Sequence, residues 1–134
     1  LLPAAGQLQV TETDKTITIT RGEVTVLKYH KAEVPPPEQA DPIYKRSGFI
    51  HPLGAPNGEP VTGIHPADHF HHLGLWHAWV KTKHGKDTPD FWNLRGRTGR
   101  VRYARVQARI ARLVLQWNRS RWPTRGRRGK RRLF

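Results

Sequence analysis

The chain contains no cysteine, which excludes disulfide bonds and thiol catalysis but leaves the cellular compartment open. It also has no apolar run of about 18 residues or more, so the sequence predicts no membrane-spanning helix. Its apolar content is only 36%, whereas glycine and proline are abundant, with 12 and 11 residues. This composition favours short strands and loops over long helices.

No acidic residue follows Asp90, so the last third of the chain has none. Residues 1–94 hold nine Lys and Arg against ten Asp and Glu, while residues 95–134 hold fifteen Lys and Arg. The formal net charge of +14 is therefore a property of the C-terminal segment.

The first six residues, LLPAAG, allow two interpretations. They are either the end of a cleaved signal peptide, which would indicate an exported soluble protein, or the place where a fragment begins. Localisation stays open at this stage.

The first third of the chain has the alternation of apolar and polar residues that is typical of half-buried strands. It predicts an antiparallel meander of three strands, near residues 8–10, 15–20 and 23–28. Prolines at positions 35–37 then interrupt the pattern, because proline cannot donate to a sheet ladder. Asn57-Gly58 predicts a later turn.

The segment 68–79 (DHFHHLGLWHAW) holds four of the eight histidines and two of the five tryptophans, and it is the strongest candidate for a site. If it is extended, His69, His71 and His77 share one face. They could then bind Zn, Cu or, with Asp68, a non-haem Fe. A bend at Gly74 would remove this common face.

Two other interpretations of the histidines are open. In the first, they act as general acids and bases on a sugar, with His71 or His72 moving a proton and Lys45 or Arg46 stabilising an oxyanion. In the second, they only form local hydrogen bonds at strand ends. The tryptophans are equally a packed core or a platform for a ligand. No Gly-rich phosphate loop, serine nucleophile elbow or zinc-protease motif is present.

Four blocks in order carry a resemblance to a known family: residues 44–53 (YKRSGFIHPL), 68–72 (DHFHH), 76–79 (WHAW) and 90–93 (DFWN). Over residues 8–105 the chain resembles the amino-terminal part of an uncharacterised bacterial family carried under the label "methane oxygenase PmoA". This chain has Phe70 and Leu73 where the family pattern has Pro and Arg. The resemblance implies a β-sandwich, by analogy with sugar-handling sandwich proteins such as mutarotases. A membrane oxygenase subunit would need apolar spans that the chain lacks.

The arginine-rich segment 106–134 is open to several interpretations. In one, residues 101–118 form a basic amphipathic helix with Val106, Ile110, Leu113 and Trp117 on one stripe; in the others, the segment is disordered or out of frame. A helix of this kind would contact phosphates or anionic lipid. No nucleic-acid-binding fold surrounds the charge, so nucleic-acid binding is not expected.

The sequence thus predicts an all-β chain, a truncated antiparallel β-sandwich over residues 1–105 followed by the basic tail 106–134. We expect it to bind or process a carbohydrate-like ligand; the alternatives are a metal-dependent oxygenase and a binder of nucleic acid or anionic surfaces. Whether it is an enzyme, its cofactor and its oligomeric state stay open. The predicted catalytic residues are His69, His71 and His72, with His69, His71 and His77 as the ligands if a metal is bound. The predicted ligand-binding residues are Lys45, Arg46, His51, Asp68, Trp76, Trp92 and Asn93.

Overall fold

A computed structural model describes residues 6–107, which form one five-stranded antiparallel sheet in the order β1-β2-β3-β4-β5. Two single 3₁₀ turns, Pro42–Tyr44 and Leu94–Gly96, are the only helical elements among these residues. The strands are β1 (Leu8–Glu12), β2 (Thr16–Arg21), β3 (Val24–His30), β4 (Phe49–Leu53) and β5 (Leu75–Trp76).

The first three strands confirm the predicted meander. Ile19 pairs with Val10 on one side and with Leu27 on the other, so the alternating apolar residues meet across the strands. The Asn57-Gly58 turn is also present, closed by a hydrogen bond of 2.9 Å from the Gly58 N–H to the Ala55 carbonyl. Alternation predicts these elements well because a residue's side of the sheet depends only on its position along the strand.

The two faces of the sheet differ in character. One face, called here the apolar face, is built from partners that follow each other across the strands: Val10, Ile19, Leu27 and Leu53 in one row, and Ile17, Tyr29, Ile50 and Leu75 in another. The opposite face carries polar side chains on β2 and β3 and two large aromatics on β4 and β5. There the ring of His30 stacks on Phe49 at 4.6 Å, and Phe49 pairs with Trp76.

The core is small. Among residues 6–107, five apolar residues are buried: Ala40, Tyr44, Phe49, Leu73 and Leu94. Three of them form one cluster, against which Ile43 and Phe70 pack. The all-β prediction is confirmed, since the described residues form one antiparallel sheet with almost no helix.

The segment 68–79 is not extended along its length, so the predicted common face of His69, His71 and His77 is wrong. Residues 67–71 form turns, closed by bonds of 2.9 Å from the His69 N–H to the Pro66 carbonyl and from the His72 N–H to the His69 carbonyl. Gly74 then adopts a φ of 50°, and a Cβ there would lie 2.1 Å from the Ile50 carbonyl oxygen. This bend directs Leu75 and Trp76 alone into the sheet.

The described residues contain no helix long and apolar enough to cross a membrane. Chain contacts place a division between Ala104 and Arg105. The second unit lies almost wholly beyond the described residues. Of the predicted helix 101–118, residues 101–107 are described and are not helical; the rest of it, with the predicted disordered tail, lies outside the described residues.

Candidate functional site

An open cleft of about 330 Å³, called here the site cleft, lies between two turns of the chain. One wall is the turn that carries the histidines, and the other is the turn at the start of the second 3₁₀ element. The floor is apolar and belongs to the small core described above. The lining residues are Tyr44, Asp68, His69, Phe70, His71, Trp92, Asn93, Leu94 and Arg95.

Three imidazoles form a compact cluster at this cleft. The ring centroids of His71 and His72 are 4.4 Å apart, those of His69 and His72 are 4.8 Å apart, and those of His69 and His71 are 5.7 Å apart. The Nε2 atoms of His71 and His72 are enclosed and have no hydrogen-bond partner among the described residues. The turn, rather than a strand, therefore brings the three predicted catalytic side chains together.

Burial lowers the pKa of His71, and His72, His69 and the Arg95 cation lower it further. Its folded-state pKa thus lies below the ordinary value of about 6.5. An imidazole with a lowered pKa is neutral at pH 7 and is able to accept a proton.

Asp68 stands beside His69 at the rim of the cleft, with 3.0 Å between its carboxylate and the Nδ1 atom of His69. This hydrogen bond is the main reason that the pKa of Asp68 is lowered. When Nδ1 donates to the carboxylate, the Nε2 atom of a neutral ring becomes the acceptor. The pair resembles the orienting half of an acid–base arrangement, although both side chains are largely exposed.

Trp92 is held in the opposite wall by the carboxylate of Asp90. Asp90 accepts hydrogen bonds from the main-chain N–H groups of Trp92 (2.9 Å) and Asn93 (2.8 Å) and from the side-chain amide of Asn93 (2.7 Å). The indole of Trp92 then meets His72 edge-on at 5.4 Å and approaches His71 at 5.8 Å. The Asn93 amide nitrogen is thus bonded to Asp90.

Arg46 lies beneath the site rather than in its wall, since it is only 2% exposed. Its two Nη atoms donate to the main-chain oxygens of His77 (2.6 Å) and Phe91 (3.2 Å), and its guanidinium lies 4.5 Å from the ring centre of Trp76. Burial lowers the pKa of Arg46 to about 10, so it stays charged at pH 7. It connects the β5 end of the chain to the loop that carries Trp92.

Other predicted residues lie farther from the site cleft. Lys45 is half exposed and pairs with Glu33 at 3.5 Å. His51 sits on β4 with Nδ1 3.0 Å from the Thr62 hydroxyl, and burial, His30 and Lys28 lower its pKa. His77 packs its ring against Trp79 at 4.3 Å. Within residues 6–107, no group of three or more His, Cys, Asp or Glu side chains, the histidine cluster included, has an arrangement that could hold a metal ion.

A second cleft, the back cleft of about 440 Å³, lies on the other side of the Trp92–His72 pair. Trp76 and Thr62 line it together with apolar residues that include Val61 and Ile64. Trp76 and Trp92 are 5.6 Å apart between ring centres. Trp92 lines both clefts.

The sequence does not indicate Tyr44 or Arg95 as site residues. Arg95 is the first residue of the basic stretch 95–134, and Tyr44 is the first residue of the block 44–53. In the structure the Nε of Arg95 donates to the buried Tyr44 hydroxyl at 2.7 Å. The feature of the sequence that indicates a place for Arg95 at the site is its position two residues after the DFWN block.

Comparison with known proteins assigns a family but no activity. No curated protein and no solved structure matches the chain. The oxygenase label and the carbohydrate-handling role therefore gain no support from a relative. The profile of a family of unknown function (DUF6807) matches residues 16–128. Since the match covers most of the chain, this protein belongs to that family of unknown function.

Proposed function

We propose that the site cleft binds a carbohydrate-like small molecule and that the histidine cluster carries out acid–base work on it. The observation that carries the proposal is the meeting of an aromatic face, Trp92, with hydrogen-bonding side chains and an imidazole of lowered pKa in one cleft. A sugar presents an apolar ring face and a rim of hydroxyl groups, so it requires this combination of partners.

The composition of the cleft supports a small polar ligand. Its volume of about 330 Å³ is at the lower end of ligand pockets and suits a molecule of monosaccharide size. Asp68 accepts hydrogen bonds, Arg95 donates them, and Asn93 is able to do both. Trp92 is 37% exposed, although tryptophan side chains are on average largely buried.

The chemistry available at this cleft is proton transfer. Neutral His71, whose Nε2 is enclosed, is suited to accept the proton of the anomeric hydroxyl at Nδ1, and His69, with its Nδ1–H held by Asp68, is suited to donate a proton from Nε2 to the ring oxygen. The bond between the anomeric carbon and the ring oxygen breaks as the anomeric C=O forms, and the reverse transfers close the ring. Opening and closing a sugar hemiacetal needs both steps, one at the anomeric hydroxyl and one at the ring oxygen. This is the reaction class that we assign to the cluster.

The two alternatives from the sequence have less support. Nothing in residues 6–107 favours a metal-dependent oxygenase, and the segment on which polyanion binding would depend lies beyond them. Both stay predictions from the sequence.

The proposal is tested by titrating the full chain with a panel of monosaccharides and recording the NMR signals of the indole N–H groups at each step. We expect Trp92→Ala to weaken binding about fivefold, because stacking on one aromatic face contributes about 1 kcal/mol. Trp79→Ala is the matched control, since Trp79 is also an exposed tryptophan but lies outside the cleft. If no sugar shifts any indole signal, the proposal is wrong.

Processing is tested separately from binding by measuring the exchange between sugar anomers by NMR. The exchange rate should rise with the wild-type chain, and His71→Gln should remove the increase while the Trp92 indole still responds to the ligand. A chain that binds sugars but leaves the exchange rate unchanged would be a binding protein.

A further inference from the structure

Resting on the proposed function, we infer that the ligand carries a carboxylate and that Arg95 binds it, which makes the substrate class a sugar acid such as a hexuronate. Arg95 is the one arginine that lines the site cleft. Its guanidinium has the planar donor geometry that matches a carboxylate.

The guanidinium of Arg95 is held in place before any ligand arrives. Its Nε donates to the hydroxyl of Tyr44 at 2.7 Å, and Tyr44 is buried with Ala40 and Leu94 in the core cluster. Because one edge of the guanidinium is anchored in this way, the two Nη groups are left for another partner. Neither has a hydrogen-bond partner among residues 6–107.

No protein carboxylate balances this charge in the described part of the chain. All ten acidic residues lie between positions 12 and 90, inside the described range. Glu33 is occupied by Lys45 and Arg100, and Asp68 by His69. No described acidic side chain forms an ion pair with Arg95, so an acidic ligand would supply the missing charge.

Arg46 differs from Arg95 in its hydrogen bonds and in its exposure. It is also an arginine without a carboxylate partner in the described residues, but its Nη atoms are bonded to two main-chain carbonyls and it is buried. Arg95 is exposed to the cleft instead. Of these two guanidinium groups, only Arg95 lines the site cleft.

The two walls of the cleft divide the expected contacts. Arg95 donates hydrogen bonds from one wall, and the carboxylate of Asp68 accepts them on the other. A ligand with a carboxylate at one end and hydroxyl groups at the other matches this division. The carboxylate lies toward Arg95, because Asp68 would repel it on the opposite wall.

The inference is tested with galacturonate and galactose, which share a sugar ring and differ in the acid group. Binding of each to the full chain is measured by calorimetry and by the Trp92 indole signal. We expect galacturonate to bind about tenfold or more tightly, since hydrogen bonds to charged groups are the stronger kind. Arg95→Gln should remove this preference.

Arg97→Gln is the matched control. It removes the same charge two residues away, from a side chain that does not line the site cleft, so the galacturonate preference should persist. Tyr44→Phe provides a second test that keeps the arginine: loss of the anchoring hydroxyl should reduce the preference without abolishing it. This variant decides the matter if Arg95→Gln does not fold.

Each result has a distinct meaning. Equal affinity for the two sugars overturns the sugar-acid inference but leaves the proposed function standing. A preference that survives Arg95→Gln overturns the role of Arg95. If neither sugar binds, both the inference and the proposed function are wrong.

Discussion

At the scale of single residues, the carboxylate of Asp90 holds the Trp92 wall of the cleft. We expect Asp90→Ala to weaken ligand binding about tenfold, because three hydrogen bonds that orient Trp92 and Asn93 are lost. Asp87→Ala is the control, since that acid lies in the same loop and its hydrogen bonds with His84 are main-chain bonds. Equal loss in both variants would show that the loop, and not the Asp90 carboxylate, is what matters.

Acid pH gives an independent test of the same carboxylate. Hydrogen bonds from the Asn93 side chain, then from the Asn93 and Trp92 main chain, lower the pKa of Asp90. A lowered carboxyl pKa stabilises the folded loop above the ordinary value of about 3.9, and this contribution is lost as the pH falls through the folded-state pKa. The difference in the Trp92 indole signal between the wild-type chain and Asp90→Ala should therefore stay constant down to about pH 4 and diminish only below it, because the titration of His71 is common to both chains.

Two histidines set the response of stability to mild acid. Burial lowers the pKa of both His51 and His71, so the unfolded chain takes up protons first as the pH falls. Their contribution is fully present above about pH 6.5 and is lost as the pH approaches the folded-state pKa values. The free energy of unfolding in urea should fall below about pH 6.5, and less steeply in a His51→Gln/His71→Gln double variant. An unchanged slope in that variant would contradict this assignment.

At the scale of elements, the bend at Gly74 decides where the histidines lie. A methyl group at this position would meet the Ile50 carbonyl at 2.1 Å, and the φ of 50° disfavours any side chain. We expect Gly74→Ala to reduce the free energy of unfolding by about 2–4 kcal/mol and to disrupt the β4–β5 pairing. Gly63→Ala, where nothing lies within 4 Å of the added carbon, should cost less than about 0.5 kcal/mol. Urea unfolding of both variants measures the difference.

The sequence predicts elements where one physical rule dominates. β2 and β3 follow from alternation alone, because Thr and Ile side chains on a pleated strand have only two directions. The histidine segment is different: Pro66, Asp68 and Gly74 favour turns, while the aromatic residues favour a strand. Turn formation prevails there because only residues 75 and 76 find a partner strand.

The site itself was only partly predictable. Asp68, His69, His71, Trp92 and Asn93 meet in one cleft, but which neighbour joins them depends on tertiary contacts. Lys45 and Arg46 are adjacent in sequence, yet one is exposed and the other buried, since Arg46 finds two carbonyls more than thirty residues away. No local pattern contains that information.

At the scale of the whole molecule, the apolar face of the sheet is the main liability. Val10 is 52% exposed and Leu75 is 55% exposed on this face. Exposed apolar area of this kind binds apolar dyes and promotes association. We expect the full chain to enhance the fluorescence of anilinonaphthalene sulfonate, and Val10→Lys and Leu75→Lys each to reduce the enhancement.

Val61→Lys is the matched control for these variants, because Val61 is also exposed but lies outside the strands. It should leave the dye fluorescence nearly unchanged. If all three substitutions reduce it equally, the dye does not bind at the sheet.

The contacts of Arg46 have a consequence for how this chain tolerates change in length. Its two hydrogen bonds reach His77 and Phe91, and the Phe91 N–H is bonded to the Trp79 carbonyl at 2.8 Å, so residues 80–90 leave and return at one place. The free energy of closing a loop rises only slowly with its length. Insertions near Gly85, at the tip of this excursion, should therefore be accepted without displacing Trp92. The length of the chain can thus change at this tip while the site cleft keeps its Trp92 wall.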